Sequence, residues 1–168
     1  MKEQHYFDFQ IATEADIDTI SAIAEATWLL TYGSIVSAQQ LVYMFEWMYD
    51  AESLRQQMAR GVVFLLLYKD NAADGFAAYE VLADGRARVH KLYFRPSAQG
   101  QGLGKLLLAE VCQRAVAQHC AVVELNVNRA NAAVYFYQKM DFHVVREVDL
   151  DVGNGFFMND FVMEKQLK

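Results

Sequence analysis

The sequence predicts a single α/β domain, residues 1–168, in which a mixed central sheet is flanked by helices on both faces. The order of the segments supports this fold class: consecutive strands joined by tight turns dominate the first half, and strands alternate with helices in the second. The 168 residues are 54% hydrophobic and include one proline, which suits one packed core without long disordered linkers. No internal repeat is visible.

Helix-capping residues and glycine turns divide the first half into elements. Thr13 with Asp16 three residues later, and Ser37 with Gln40, are typical of the first turns of helices. The apolar run at 62–68 indicates a buried strand, residues 69–75 are predicted to be its turn, and Asp84-Gly85 marks a second turn. We therefore expect strands at 6–12, 62–68, 76–81 and 87–94, and helices at about 14–30, 38–48 and 51–60.

The second half is predicted to read helix, strand, helix and a final strand pair. An amphipathic pattern covers 103–118, and Val122–Val127 is an apolar run of strand length. Gly153 and Gly155 separate the last two strands. The expected elements are helices at 103–118 and 132–140, and strands at 122–127, 144–152 and 156–164.

The acidic excess of the chain lies entirely in its first sixty residues. They carry nine acidic side chains against three basic ones, which accounts for the whole net charge of −6. Acids in the first turn of a helix are favoured by its dipole, and a negative lobe would also attract a cationic substrate. Both interpretations stay open. The balance disfavours a nucleic-acid partner, which requires a basic surface.

Several observations favour a cytoplasmic protein with no membrane or metal partner. No apolar run approaches the length of a membrane span, and Met1–His5 lacks the apolar segment of a secretory signal. Cys112 and Cys120 lack the spacing of a paired motif, which indicates buried thiols in a reducing compartment. The terminal strand pair could form an edge-to-edge homodimer.

A glycine-dense loop, Gln99–Lys105, joins a predicted strand to a predicted helix. Unpaired amides and the helix dipole at such a junction suit a phosphate or pyrophosphate. Leu106 after Lys105 excludes a Walker loop, and the glycine spacing does not fit a dinucleotide fingerprint. The spacing that remains is Gln-x-x-Gly-x-Gly, at Gln99, Gly102 and Gly104. An ordinary glycine turn before a packed helix is the alternative.

This loop resembles the coenzyme A pyrophosphate loop of the GNAT acetyltransferase superfamily. Residues 125–142 are similar to a second pattern of that superfamily, a strand, an asparagine and a short helix followed by Phe-Tyr-x-Lys-x-Gly-Phe. The segments 153–165 and Lys91–Phe94 look like those of bacterial polyamine (spermidine/spermine) N-acetyltransferases. The resemblance implies a GNAT-like fold and acetyl transfer from acetyl-CoA to a primary amine, that of a small cationic molecule such as a polyamine.

The resemblance also implies roles for individual residues. Tyr137 would donate a proton to the leaving sulfur, with core packing as the alternative. Glu80 or His90 would act as the base, directly or through a water, and the alternatives are a solvated Glu80 and a structural His90. Asp141 replaces the glycine of the pattern, and we expect it to keep the left-handed turn. Asn131 lies one residue closer to Tyr137 than is usual, so either Asn131 or Asn128 would contact pantetheine. The cofactor-binding residues implied are Leu92, Tyr93, Phe94, Gln99, Gly100, Gln101, Gly102, Leu103, Gly104, Lys105, Asn131 and Tyr137.

The acceptor amine is expected to bind the two-helix segment near the N-terminus. Aromatic rings with a carboxylate can form a cation site there, and the candidates are Trp28, Tyr32, Tyr43, Glu46 and Trp47. Core packing is the alternative for the two tryptophans. Two other functions stay open: acetylation of peptide or protein amines, and a non-catalytic module that binds acyl-CoA.

Overall fold

A seven-stranded sheet between two layers of helices forms the protein, in a computed structural model that describes residues 4–167. Each predicted strand and helix is present, which confirms the α/β class. The strands are β1 (Phe7–Ile11), β2 (Val63–Lys69), β3 (Ala72–Val81), β4 (Arg86–Phe94), β5 (Val122–Asn128), β6 (His143–Gly153) and β7 (Phe156–Gln166). The helices are α1 (Ile17–Tyr32), α2 (Ala38–Tyr49), α3 (Ala51–Ala59), α4 (Leu103–Ala117) and α5 (Ala133–Lys139).

One parallel pair joins two antiparallel parts of the sheet. The strand order is β1-β2-β3-β4-β5-β7-β6, and only β4 and β5 run parallel. Their pairing extends from Arg86↔Val122 to Val89↔Leu125 and stops there, although both strands continue. The two strands therefore part in the middle of the sheet.

Hydrophobic cores fill both faces of the sheet, and β2 shows why. Its side chains alternate between the faces, as in any strand. Leu65 and Leu67 pack in the core beneath α4 and α5, while Phe64 and Leu66 pack in the core beneath α1, α2 and α3. Because both faces are covered, the strand is continuously apolar rather than alternating.

The predicted caps are present, and one predicted turn is wrong. Thr13 and Asp16 form a reciprocal capping box, which opens a short 3₁₀ turn that leads into α1. The turn predicted at 69–75 is only two residues long, Asp70 and Asn71, with φ of 49° and 68°, and β3 begins at Ala72. Aspartate and asparagine tolerate the left-handed backbone that a two-residue hairpin requires. Pairing with β2 then draws weak strand formers into β3.

Candidate active site

A cleft of about 550 Å³ opens where β4 and β5 part. One wall is the C-terminal part of β4 and the other is formed by β5 and α5. Because the ladder between β4 and β5 ends at Val89↔Leu125, the facing backbone groups beyond that pair have no partner strand. The cleft therefore offers open strand edges to an extended ligand. Side chains of α1 close it on one face of the sheet, through Thr27, Thr31 and Tyr32.

The glycine loop forms the end of the cleft next to α4. Gly100 and Gly102 have φ of 77° and 76°, a backbone region that favours glycine. The first hydrogen bond of α4 runs from Leu106 N to Gly102 O, so the amides of the preceding turn have no helical acceptor. Gly104 allows α4 to lie against α5, because a Cβ there would lie 3.2 Å from Phe136 Cζ. The loop can therefore hold an anion against backbone amides.

A β-bulge places His90 at the cleft beside Glu80. Ala78 pairs with Lys91 and Tyr79 with Val89, so His90 is an extra residue in β4. Its Nε2 lies 2.8 Å from Glu80 Oε1. Since the carboxylate accepts, Nε2 carries the proton and Nδ1 is left as an acceptor. Burial lowers the pKa of His90, although the hydrogen bond to Glu80 acts in the opposite direction.

Tyr137 reaches the cleft from α5 and is 8% exposed. Its ring packs edge-on against Phe136 and Phe142. Burial raises the pKa of Tyr137 far above that of a free phenol, so the hydroxyl stays protonated and remains a hydrogen-bond donor. The predicted left-handed turn after α5 is present, because Asp141 has φ of 67°.

The two candidate asparagines differ in position. Asn131 lines the cleft, and its Oδ1 accepts a hydrogen bond from Ala133 N at 2.9 Å. Asn128 is buried outside the cleft lining, and its Oδ1 accepts from Ala130 N at 2.9 Å. The geometry therefore favours Asn131 as the residue able to reach a ligand in the cleft.

Most of the predicted cofactor residues share this cleft. The exception is Gln101, whose Nε2 donates to Ser97 O and whose Oε1 accepts from Lys69 Nζ. The residues that line the cleft are Leu92, Tyr93, Phe94, Gln99, Gly100, Gly102, Leu103, Gly104, Lys105, Asn131 and Tyr137.

The aromatic set predicted for the acceptor is dispersed, and only Tyr32 lines the cleft. Trp28 is 4% exposed in the core, and its Nε1 donates to Leu41 O at 3.0 Å. Tyr43 donates to Val152 O of β6, and Trp47 stacks on its ring at a centroid distance of 6.5 Å. Glu46 is exposed on α2, outside the cleft lining.

Asp160, which the sequence patterns did not single out, lies outside the cleft lining but close enough for its charge to act on Tyr32. It is 6% exposed on β7, and no described residue donates a hydrogen bond to its Oδ1. Burial raises its pKa to about 6, against the opposing effects of Arg129 and Asn126. Burial, and to a smaller extent the Asp160 charge, raises the pKa of Tyr32. The only sequence signal is an acid at an inward position of β7, between Met158 and Val162.

Within residues 4–167 no helix is long and apolar enough to cross a membrane. The same range contains no group of three or more histidine, cysteine, aspartate or glutamate side chains arranged to hold a metal ion.

Comparison with known proteins gives one consistent family. The sequence model of the GNAT acetyltransferase domain matches residues 35–165. The chain is 27% identical over 157 residues to a spermidine N(1)-acetyltransferase from Thermoplasma acidophilum, covering 90% of this chain and 91% of that protein. It is also 27% identical over 112 residues to a ribosomal protein bS18 alanine N-acetyltransferase from Haemophilus influenzae, covering 67% and 73%.

Solved structures agree in fold. The PaiA N-acetyltransferase from Thermoplasma acidophilum, in complex with coenzyme A, superimposes with a TM-score of 0.82 at 26% identity, over 96% of this chain and 99% of that one. The ribosomal-protein-S18-alanine N-acetyltransferase from Escherichia coli has the same fold, with a TM-score of 0.74 at 16% identity, over 97% and 95%.

Proposed function

This chain belongs to the GNAT acetyltransferase family, and from that premise we propose that it acetylates a primary amine of a small polycation, a polyamine, with acetyl-CoA as donor. The observation that carries the choice of acceptor is Asp160, a buried carboxylate with one unpartnered oxygen, whose charge acts on Tyr32 at the cleft. A buried carboxylate of this kind is stabilised when a cation pairs with it. The similarity to a spermidine acetyltransferase supports the same acceptor class.

The donor fits the cleft by its own chemistry. Its pyrophosphate would bind the amides of the Gln99–Gly104 loop, at the start of α4. The amides of its pantetheine arm would pair with the open edge of β4 at Leu92–Phe94, as an added strand does. A backbone N–H near Leu92 or Tyr93 would stabilise the negative charge that develops on the thioester oxygen. Asn131 would contact the same arm.

In the proposed reaction, the neutral amine attacks the thioester carbon and the carbon–sulfur bond breaks. His90 Nδ1 accepts the proton that the attacking nitrogen loses, directly or through one water, while Glu80 holds the ring. Tyr137 donates its hydroxyl hydrogen toward the departing sulfur. These roles use the lowered pKa of His90, which keeps it neutral and able to accept a proton at pH 7, and the raised pKa of Tyr137.

An acceptor with two or more amino groups can place one at the thioester and another at Asp160. The reacting amine must be neutral, whereas a second ammonium group of the same molecule can stay charged and pair with Asp160. The Tyr32 ring adds a cation–π contact of the kind that strengthens such sites. A peptide N-terminus has no obligatory second cation, so the carboxylate favours a polyamine over a peptide.

Thiol release with a panel of amines tests this function. We expect turnover with spermidine, spermine or putrescine to exceed turnover with amino acids, aminoglycosides and a peptide that begins with alanine. In Asp160→Asn the KM for the polyamine should rise about tenfold or more, because one close ion pair is lost. The KM for acetyl-CoA should stay unchanged.

The exposed residue Asp18 provides the matched control, since Asp18→Asn removes one charge of the acidic N-terminal region outside the cleft lining. It should leave both KM values unchanged. Preferred turnover of the alanine peptide would assign the protein-amine function instead, and turnover with none of these amines would contradict the proposal.

A further inference from the structure

A second cavity, of about 440 Å³, lies at the ends of α2 and α3. Its lining is mostly polar and includes one residue of β4, Lys91, which also borders the acetyl cleft. None of the residues assigned above to acetyl transfer has its side chain in this cavity. The lining residues are Trp47, Met48, Asp50, Glu52, Ser53, Gln56, Gln57, Arg60 and Lys91.

Lys91 is a buried cation without a carboxylate partner. It is 6% exposed, and its Nζ donates to Gln57 Oε1 at 2.5 Å. The ammonium also lies 5.6 Å from the centroids of the Tyr49 and Phe64 rings. Among residues 4–167, no carboxylate oxygen lies within 4.0 Å of Nζ. One amide and two rings leave most of the cost of burying this charge uncompensated.

Arg60 adds a second positive charge to the same cavity. Burial, and then the Arg60 charge, lower the pKa of Lys91 to about 8, so the two cations repel each other. The guanidinium of Arg60 also has no carboxylate within 4.0 Å in the described part of the chain.

The two acids of the lining are engaged elsewhere. Asp50 Oδ1 accepts from Ser53 N at 2.6 Å, where it caps α3. Glu52 Oε1 accepts from Gln56 Nε2 at 3.2 Å, and Glu52 Oε2 lies 3.7 Å from Arg55. In the described part of the chain, neither acid therefore lies within ion-pair distance of Lys91 or Arg60, and an external anion could pair with both cations.

We propose that this cavity binds a small oxyanion, a carboxylate or phosphate group, between the Lys91 ammonium and the Arg60 guanidinium. An anion there would pair with both charges, which are close enough to repel each other, and charge-assisted hydrogen bonds to such groups are strong. Among the described residues the site shares only Lys91 with the lining of the acetyl cleft, and it does not depend on which amine the protein acetylates.

Thermal unfolding with added anions tests the site. Sodium phosphate and sodium succinate are titrated against sodium chloride of matched ionic strength, with coenzyme A present so that the glycine loop is filled. We expect at least one of the two oxyanions to raise Tm saturably, as a ligand that binds only the folded state does. The comparison of the two probes separates a phosphate ligand from a carboxylate ligand.

Two variants locate the effect. Arg60→Gln should weaken the apparent affinity for the anion about tenfold or more, whereas Arg146→Gln, an equal change at an exposed position of β6 outside the cavity lining, should leave it unchanged. Equal affinity in wild type and Arg60→Gln, or no saturable rise in Tm with either anion, would overturn the proposal.

The ammonium of Lys91 gives a second readout in the wild-type protein. Its pKa, followed by NMR of the side-chain carbon next to Nζ, should rise from about 8 when the anion binds, because a nearby negative charge favours the protonated amine. A Lys91 with a merely structural role would show the same pKa with and without the anion, and that result would also overturn the proposal.

Discussion

His90 has the geometry of a general base, because its ring is held by Glu80 and its second nitrogen is free to accept a proton. In His90→Gln we expect kcat to fall about 10²-fold or more, the range that general-base catalysis contributes. At saturating polyamine, where the effect of Asp160 on binding no longer limits the rate, wild-type kcat should fall as the pH drops through the lowered pKa of His90, since the protonated ring cannot accept a proton. The variant should lack this acidic limb.

His143, exposed on β6, serves as the control for this experiment. His143→Gln should retain both the rate and the acidic limb of the pH profile. If His90→Gln keeps the acidic limb, another group is the base, and the histidine has only a packing role.

Tyr137 and Tyr135 lie on the same helix and differ in environment. Tyr137 is buried at the cleft, while Tyr135 is 70% exposed. We expect Tyr137→Phe to lower kcat about 10²-fold with little change in the Kd of coenzyme A, because only the donor hydroxyl is lost. Tyr135→Phe should behave as wild type in the same thiol-release assay. Equal rates in the two variants would remove Tyr137 from the mechanism.

Asp160 should make both ligand binding and stability depend on pH. Burial raises the pKa of its carboxyl to about 6 in the folded protein. The carboxylate that pairs with an ammonium group is therefore lost as the pH falls below that value. Polyamine affinity, measured by calorimetry, should therefore weaken below pH 6 in the wild type and show no such loss in Asp160→Asn.

Ionisation of Asp160, which favours polyamine binding, lowers the stability of the folded protein. Because the folded protein binds this proton more tightly than the unfolded chain, ionisation of Asp160 destabilises the fold as the pH rises toward 7. Without ligand, Asp160→Asn should raise Tm at pH 7.5 by about 2–4 °C, as when a functional site costs stability. A lower Tm would show that the carboxylate supports the fold instead.

Individual residues differ in how far the sequence predicts them. Asp141 is predictable because the left-handed turn after α5 is a local property that aspartate tolerates. Trp28 and Asp160 are not, since their surroundings come from segments far away in sequence. A tryptophan on a helix can face a core or a cleft, and an acid in a strand reveals nothing about which partners are missing.

Among the elements, the turn into α4 links backbone conformation to ligand binding. Gly102 has φ of 76° at the N-cap of α4, so Gly102→Ala should destabilise the protein by about 1–2 kcal/mol and weaken coenzyme A binding. Gly61 has φ of 99° with open space around it, and it is not among the residues that line the cleft. Gly61→Ala should lower stability comparably in urea unfolding and leave the Kd of coenzyme A unchanged. If both variants bind equally well, the turn does not contact the ligand.

Capping residues and glycine turns predict where elements begin and end, because these signals act within a few residues. The bulge at His90 and the parting of β4 from β5 depend on pairing between strands distant in sequence. For this reason the residues of the loop by themselves indicate an anion site, whereas only the family resemblance implies an open strand edge at Leu92–Phe94 beside it.

For the whole molecule, segment order predicts the fold class but not the order of strands. The last strand, β7, lies inside the sheet between β5 and β6, so β6 forms the outer edge. A dimer through the terminal pair stays a prediction, and β6 is the strand that would form it. Its edge is long and largely exposed, which makes it the natural place to test for self-association by sedimentation.

The short parallel pairing between β4 and β5 affects how cooperatively the protein unfolds. Four residue pairs join a sheet segment made by residues 7–94 to another made by residues 122–166, so each segment is continuous in the chain. A ligand that contacted both strand edges would add interactions that hold the two sheet segments together. Coenzyme A should therefore slow amide exchange of Leu92–Phe94 and of the facing residues of β5 together, merging two opening units into one.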